Sequence, residues 1–194
     1  MAKLDINTKS TALLVMDCQV NIVNSLPPPE KAKVLRNLTK AIAAARQASI
    51  PVIYVAVQFR KGYPEISSRN PLFSTIREAG RLQEAAPDTA ICEEIRPQPS
   101  EIVVTKKRIS AFTGSDLEVV LRSRNIDTLV LTGVSSLGVV ESTARFAFDM
   151  DYRLLVLGDC CSDRDPESNE IALTRLLPRI STVSPTDDFI AAIH

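Results

Sequence analysis

The sequence predicts an α/β fold, a three-layer α/β/α sandwich built on a six-stranded, mainly parallel sheet. Three observations lead there. Short β-branched runs recur between helical stretches along the chain. These runs are apolar throughout rather than alternating, as strands covered by helices on both faces are. The segment Asp127–Arg145, DTLVLTGVSSLGVVESTAR, reads as a buried strand, a turn of small residues and a helix start, the junction at which an open α/β sheet builds its site. At 194 residues, 45% apolar and 24% charged, the chain suits one substantial core, so a single domain over residues 1–194 is expected.

The six expected strands are Thr11–Met16, Val52–Val57, Ile102–Thr105, Thr128–Thr132, Arg153–Leu157 and Ile180–Val183. Between the first two, Val34, Leu35, Leu38, Ile42 and Ala45 keep the spacing of one helical face. That helix is entered through Pro27, Pro28 and Pro29, since proline's fixed φ suits a first turn. The resulting crossover is expected to be right-handed. Residues 58–100 are irregular and rich in Pro, Gly and Arg, with one short helix near Leu72–Gly80, and insertions of this kind often line or cover a site. The next helix starts at a capping box, Ser115 with Glu118, and Asn125 suits the left-handed residue at its end. Asp165 is expected to cap a further helix with Pro166 at its first position, and Thr186 to cap the last short one.

Charge and composition narrow the function. Lys plus Arg and Asp plus Glu each total 23, and no long basic run offers itself to a phosphate backbone, so a nucleic-acid partner is not expected. No apolar run approaches the roughly 20 residues of a membrane span, and MAKLDINTKS lacks the apolar core of a signal peptide. A cytoplasmic protein without membrane partners is expected. Cys18, Cys92, Cys160 and Cys161 show no C-x-x-C spacing, which fits a reducing compartment rather than a disulfide framework or zinc site. The sole histidine is the last residue, His194, so neither a His-based metal cluster nor a Ser-His-Asp relay is expected from the chain's interior. No metal or other cofactor is expected.

Three segments fall at the carboxyl ends of expected strands and can converge in space: Val15–Gln19, Val104–Phe112 and Gly133–Ala144. An Asp ending an apolar strand, here Asp17, is partly desolvated, which raises its pKa, and a nearby Lys106 would stabilise its carboxylate or charge developing on a substrate. The competing readings are a turn cap for Asp17 and an ordinary solvated lysine beside Lys107 and Arg108. Gln19 is placed either to touch substrate or to hold the Asp17 loop, Phe112 to shape the loop or pocket wall, and Arg108 to contact substrate. Phe59, Arg60 and Tyr63 fit a cavity lining and plain loop packing about equally.

At these residues the chain resembles the isochorismatase-like superfamily, the cysteine hydrolases. Its patterns are an apolar strand then D-x-Q, K-x-R-x-S-A-F, and G-V-x-[ST]-x-x-C-V-x-x-T-A; here they run Asp17–Gln19, Lys106–Phe112 and Gly133–Ala144. Asp151–Glu167 also resembles the family's fifth strand and following loop. Each motif alone is weak, but their order on successive strand ends is fairly specific. The resemblance implies a Rossmann-like sandwich in which Asp17 activates the nucleophile, Lys106 stabilises charge and the backbone after Ser135 supplies an oxyanion hole. It also implies a non-proline cis peptide at Val134–Ser135, substrate contacts near Val134, Ser135 and Ser136, and a homo-oligomer. The Asp and His cluster of the superfamily's nicotinamidases is not matched at Val57–Tyr63, which argues against that activity.

Val139 occupies the place of the catalytic cysteine. A valine forms no thioester. The resemblance then implies a hydrolase of a small organic molecule that works through Asp17, Lys106 and water, as relatives cleaving the vinyl ether of isochorismate do. The alternative is a catalytically silent small-molecule-binding or assembly protein that keeps the fold. Cys18, adjacent to Asp17, should turn to the opposite face, while Cys160 and Cys161, placed after the fifth strand, are the positions at which a relocated nucleophile has to be tested.

Overall fold

The computed structural model describes residues 4–193; the first three residues of the N-terminal segment and the sole histidine, His194, lie outside the described residues. Six strands form the sheet: β1 (Thr11–Met16), β2 (Val52–Val57), β3 (Ile102–Lys106), β4 (Thr128–Val134), β5 (Arg153–Ser162) and β6 (Thr182–Ser184). Their order is β3-β2-β1-β4-β5-β6, and every neighbouring pair is parallel. The order reverses between β1 and β4, so a crevice is expected outside the carboxyl ends of those strands.

Helices cover both faces: α1 (Val20–Val23), α2 (Pro28–Gln47), α3 (Pro71–Glu78), α4 (Leu117–Ser123), α5 (Glu141–Asp149), α6 (Pro166–Ile171) and α7 (Thr186–Ile193). Successive strand side chains feed two different cores, which is why the strand sequences are apolar throughout. Ala12, Leu14 and Met16 of β1 pack with Leu129 and Leu131 beneath Leu117 and Leu121 of α4 and Ala144 of α5. Leu13 and Val15 face the other way, with Tyr54 and Val130, against α2 and Phe189 of α7. The five residues expected to form the face of α2 are all buried there. Each fully buried aliphatic side chain contributes about 1.5–3 kcal/mol.

Local signals fared unevenly. Asn125 takes φ +53° at the end of α4, and Asp165 accepts from the Ser168 N–H at 3.1 Å with Pro166 opening α6. The short helix expected near Leu72–Gly80 is α3, capped by Asn70, which accepts from the Phe73 N–H. The capping box is not formed. Ser115 Oγ donates to the Ala111 carbonyl at 2.6 Å and accepts from the Leu117 N–H, so α4 starts at Leu117 with Asp116 before it. Thr186 is not a cap either: it is the first residue of α7, and both its N–H and its hydroxyl donate to Asp159 Oδ1.

Strand β5 runs five residues beyond its expected end. Leu131 pairs with Val156 but Gly133 with Cys161, so extra residues of β5 bulge out around Gly158 and Asp159 before pairing resumes. Gly and Asp read as a strand end, and the bulge hides the continuation. Cys160 and Cys161 therefore lie within β5 rather than after it.

One glycine sets the distance between the site strands. Gly133 has φ +144°, and a Cβ there would sit 2.2 Å from the Met16 carbonyl oxygen. Gly133→Ala is expected to destabilise the protein by about 3 kcal/mol or more through backbone strain and forced separation of β1 from β4. The check is the urea unfolding midpoint; an unchanged midpoint would show that the two strands can part at no cost. No helix among the described residues is long and apolar enough to cross a membrane.

Candidate active site

Asp17 follows directly on β1 with φ +54°, a left-handed conformation that Asp tolerates better than most residues. The chain thereby leaves the sheet, placing Asp17 on a cavity wall and returning Cys18 to the core beneath α2. Asp17 Oδ2 lies 2.8 Å from Nζ of Lys106, the last residue of β3, with side chains only 9% and 2% exposed. The lysine reaches past the end of β2 to do so. Its Nζ also donates to the Arg108 and Ile109 carbonyls at 3.0 and 2.7 Å. An ammonium has three protons, and these three partners use them.

Lys106 therefore acts through its charge and through the grip it holds on Asp17, with no proton left over for a ligand. Asp17 Oδ1 is different: it is buried and has no hydrogen-bond partner among the described residues. Burial pushes the Asp17 carboxyl above the ordinary carboxylate value of 3.8, against the opposing pull of Lys106. The result is one braced oxygen and one unsatisfied oxygen on a carboxyl group that holds its proton unusually well.

Gln19 is a clamp rather than a ligand contact. Its Nε2 donates to the Val57 and Thr89 carbonyls, and its Oε1 accepts from the Val57 N–H at 2.8 Å. With both donors spent and the residue fully buried, it ties the Asp17 loop to β2 and to the insertion.

The third segment closes the cavity from β4. The Val134–Ser135 peptide is cis. Beyond it Ser136–Val140 winds as a wide π-type turn into α5, rather than starting an α-helix at once as the sequence suggested. Ser135 Oγ accepts from the Gly138 N–H at 3.1 Å, and Asp163 accepts from the Leu137 N–H at 3.3 Å. Two N–H groups of the turn are thus committed before any oxyanion arrives. Val139, 3% exposed, lines the same cavity as Asp17 while packing into the core.

The cavity holds about 330 Å³. Of the residues expected to touch substrate, Arg108, Val134 and Ser135 line it. The others lie outside its wall, each for a visible reason. Phe59 is fully buried against Tyr63 and Phe73, ring centroids 5.9 and 5.7 Å away, and the Tyr63 hydroxyl donates to the Arg81 carbonyl. Arg60 pairs with Glu65 at 2.7 Å. Phe112 stacks on Phe146 at 4.9 Å, and Ser136 Oγ donates to Asn169.

Phe73 and Leu82 form the wall itself, with Phe59 and Tyr63 as the layer behind them. The insertion lines the site as expected, but through residues the sequence did not single out, Leu72, Phe73 and Ile76 on α3; Asn21 and Ile22 on α1, and Asp163 with Arg164 after β5, were likewise not picked out. Two signals were available. The apolar face of α3 had no core assigned to it, and a longer β5 would have brought Asp163 and Arg164 to the strand-end crevice.

All four cysteines are buried thiols. Burial pushes Cys18 well up, Cys160 to about 12 and Cys161 higher still. Folded protein treated with iodoacetamide near neutral pH is expected to keep its unmodified mass and its activity. Rapid alkylation of Cys160 or Cys161, blocked by substrate, would instead assign a relocated nucleophile. Among the described residues no group of three His, Cys, Asp or Glu side chains is placed to hold a metal ion.

Known proteins are similar to this chain over most of its length. The isochorismatase domain model matches residues 11–188. The uncharacterized isochorismatase family protein YwoC of Bacillus subtilis is 32% identical over 193 residues, covering 100% of this chain and 99% of its own. The ureidoacrylate amidohydrolase RutB of Pseudomonas syringae pv. syringae is 34% identical over 201 residues, covering 92% of this chain and 82% of its own. The crystal structure of a cysteine hydrolase from Pseudomonas syringae pv. phaseolicola superposes with a TM-score of 0.87 at 25% identity, covering 98% of this chain and 95% of that one. With a family model matched from β1 into α7 and relatives aligned end to end, this chain belongs to the isochorismatase domain family of isochorismatase-like hydrolases.

Proposed function

We propose that the protein hydrolyses a small organic molecule with Asp17 as general acid/base and Lys106 as the fixed charge beside it, without a cysteine nucleophile. The observation that carries this reading is the buried Asp17–Lys106 pair on the cavity wall, whose Oδ1 alone is unsatisfied. In the protonated state Asp17 donates to the substrate, as to the terminal carbon of a vinyl ether. Water then attacks the resulting cation and returns a proton to Asp17, and the adduct collapses to alcohol and carbonyl. One water is consumed and the carboxyl is restored. Lys106 holds the carboxylate in place while it carries charge. Val139 supplies only apolar surface, so no covalent intermediate forms at that position.

Substrate candidates follow from bond chemistry and from relatives. Vinyl ethers suit protonation by Asp17, and the resemblance to RutB, named a ureidoacrylate amidohydrolase, adds amides and carbamoyl compounds. The test is a turnover screen over those three classes beside an Asp17→Asn control, which keeps an acceptor for Lys106. Turnover that disappears in the control supports hydrolysis at this site; saturable binding without turnover assigns the chain to the silent, ligand-holding class instead. The family likeness suggests a homo-oligomer, to be read by light scattering, and four buried free thiols support a cytoplasmic location.

A further inference from the structure

We infer that Arg108 is the receptor for a carboxylate carried by the substrate. This rests on the reading of the cavity as the substrate site and adds the class of molecule it accepts. Six charged side chains line the cavity: Asp17, Arg81, Lys106, Arg108, Asp163 and Arg164. Asp17 and Lys106 neutralise each other at 2.8 Å, which leaves three guanidinium groups facing one carboxylate. The cavity therefore carries an excess of positive charge that an anionic ligand would balance.

Among those three, Arg108 is the one held in place. Its guanidinium donates to the Lys107 and Glu65 carbonyls and lies over the Phe73 ring, 5.6 Å from the centroid. Glu65 is itself anchored by Arg60 and Lys107, so the brace reaches back into the insertion. No Asp or Glu of the described residues pairs with Arg108, although Arg46, Arg60 and Lys107 all have such partners. A guanidinium has five N–H donors in a planar fork, and the two carbonyls occupy only part of it. A partly buried, pre-oriented fork without a counter-ion matches the geometry of a carboxylate.

Position strengthens the assignment. The backbone carbonyl of Arg108 accepts from Lys106 Nζ, so the carboxylate receptor and the Asp17–Lys106 pair are fixed to each other through one residue. A ligand anchored at Arg108 would extend along the apolar wall of Phe73, Ile76 and Leu82. A volume of about 330 Å³ is that of roughly ten waters, enough for a small acid and too little for a polymer.

The test separates binding from turnover by using the Asp17→Asn variant, which keeps the cavity but not the acid. The probes are two pairs matched in size and differing in charge, 3-ureidopropionate against 3-ureidopropionamide and benzoate against benzamide, measured by titration calorimetry. At least one acid is expected to bind about tenfold tighter than its amide or better, with that preference shrinking as salt is raised. Adding Arg108→Gln should cut the preference by at least about threefold, any remainder coming from the Lys106 charge that Asp17→Asn leaves uncompensated, and Arg108→Lys should lose less because charge remains without the fork. Arg81→Gln and Arg164→Gln should each change it by less than about threefold, since exposed charges are screened. Equal affinity for acid and amide, no binding of either acid, or a preference undiminished in Arg108→Gln would overturn the assignment. A failed turnover screen with the charge preference intact would overturn hydrolysis and leave the receptor standing; turnover of uncharged substrates without a preference would do the reverse.

Discussion

Asp17→Asn is expected to lower kcat/KM by about 10²–10⁴-fold, the range associated with loss of a positioned acid or base. Asparagine is the informative replacement because it leaves an acceptor for Lys106. Asp17→Ala strands a buried ammonium on two carbonyls, and breaking a buried pair in this way costs about 3–5 kcal/mol, so its lost activity would be mixed with lost stability. Lys106→Met should reduce the rate by more than about tenfold, since a buried stabilising charge is commonly worth a few kcal/mol.

The pH dependence carries its own sign. The carboxyl of Asp17 lies above 3.8 because burial outweighs Lys106, so its acid form persists to higher pH than that of an exposed Asp. An acid role then gives a rate that is full below the raised pKa and falls as pH rises through it. Removing Lys106 removes the influence that lowers the pKa, so the same fall should move to higher pH in Lys106→Met. Stability follows the same direction: a raised folded pKa favours folding most below the unfolded value, and that contribution is lost as pH rises through the folded one. Asp17→Asn, which cannot ionise, should gain stability relative to the native protein across that window. A rate that fell on acidification would assign Asp17 the role of base, and a native rate in Asp17→Asn would remove it from the chemistry.

The sheet and the innermost pair were readable because their physical signals are local. Continuous apolar runs mark strands buried on both faces, and Asp17 and Lys106 each stand at such a strand's end. Right-handed crossovers then leave few ways to arrange the strands, so both ends lie on one edge of the sheet and the lysine reaches past β2 to Asp17 beside the switch point. The cavity wall was harder to read because it depends on packing between segments far apart in sequence. Phe59 and Tyr63 look like lining residues, but Phe73 of α3 packs against them and takes the cavity surface itself. Gln19 reads from sequence either as a ligand contact or as a brace for the Asp17 loop, and its donors, both spent on Val57 and Thr89, decide for the brace. Asp163 and Arg164 were hidden by a bulge whose Gly158 and Asp159 mimic a strand end. Arg108 belonged to a motif from the start, but only the structure shows it without a counter-ion.

Val139→Cys is expected to create the most reactive thiol in the protein, alkylated by iodoacetamide more than roughly a hundredfold faster than any native cysteine. The comparison rests on thiolate populations: at neutral pH a thiol held near 12, as Cys160 is, contributes about one thiolate in 10⁵ molecules. At position 139 the thiol would lie in the cavity wall with Asp17, whose unpartnered Oδ1 is available to take its proton. The nearby end of α5 and the Lys106 charge favour the thiolate, while 3% exposure opposes it. The native pairing of Lys106 with Asp17 weakens that field, so the proton acceptor matters more than the charge. Cysteine is slightly smaller than valine, and the substitution should cost roughly 1 kcal/mol from the small void left in the core. Weak amidase or esterase activity is expected to accompany the new thiol and to vanish in the Val139→Cys, Asp17→Asn double variant, because the acceptor would then be gone. Intact-mass spectrometry over time, with and without benzoate as a cavity blocker, reads the reactivity. A folded variant whose new thiol resisted alkylation as firmly as Cys160 does would place residue 139 in the core rather than the site, and the correspondence between Val139 and the family's nucleophile would have to be given up.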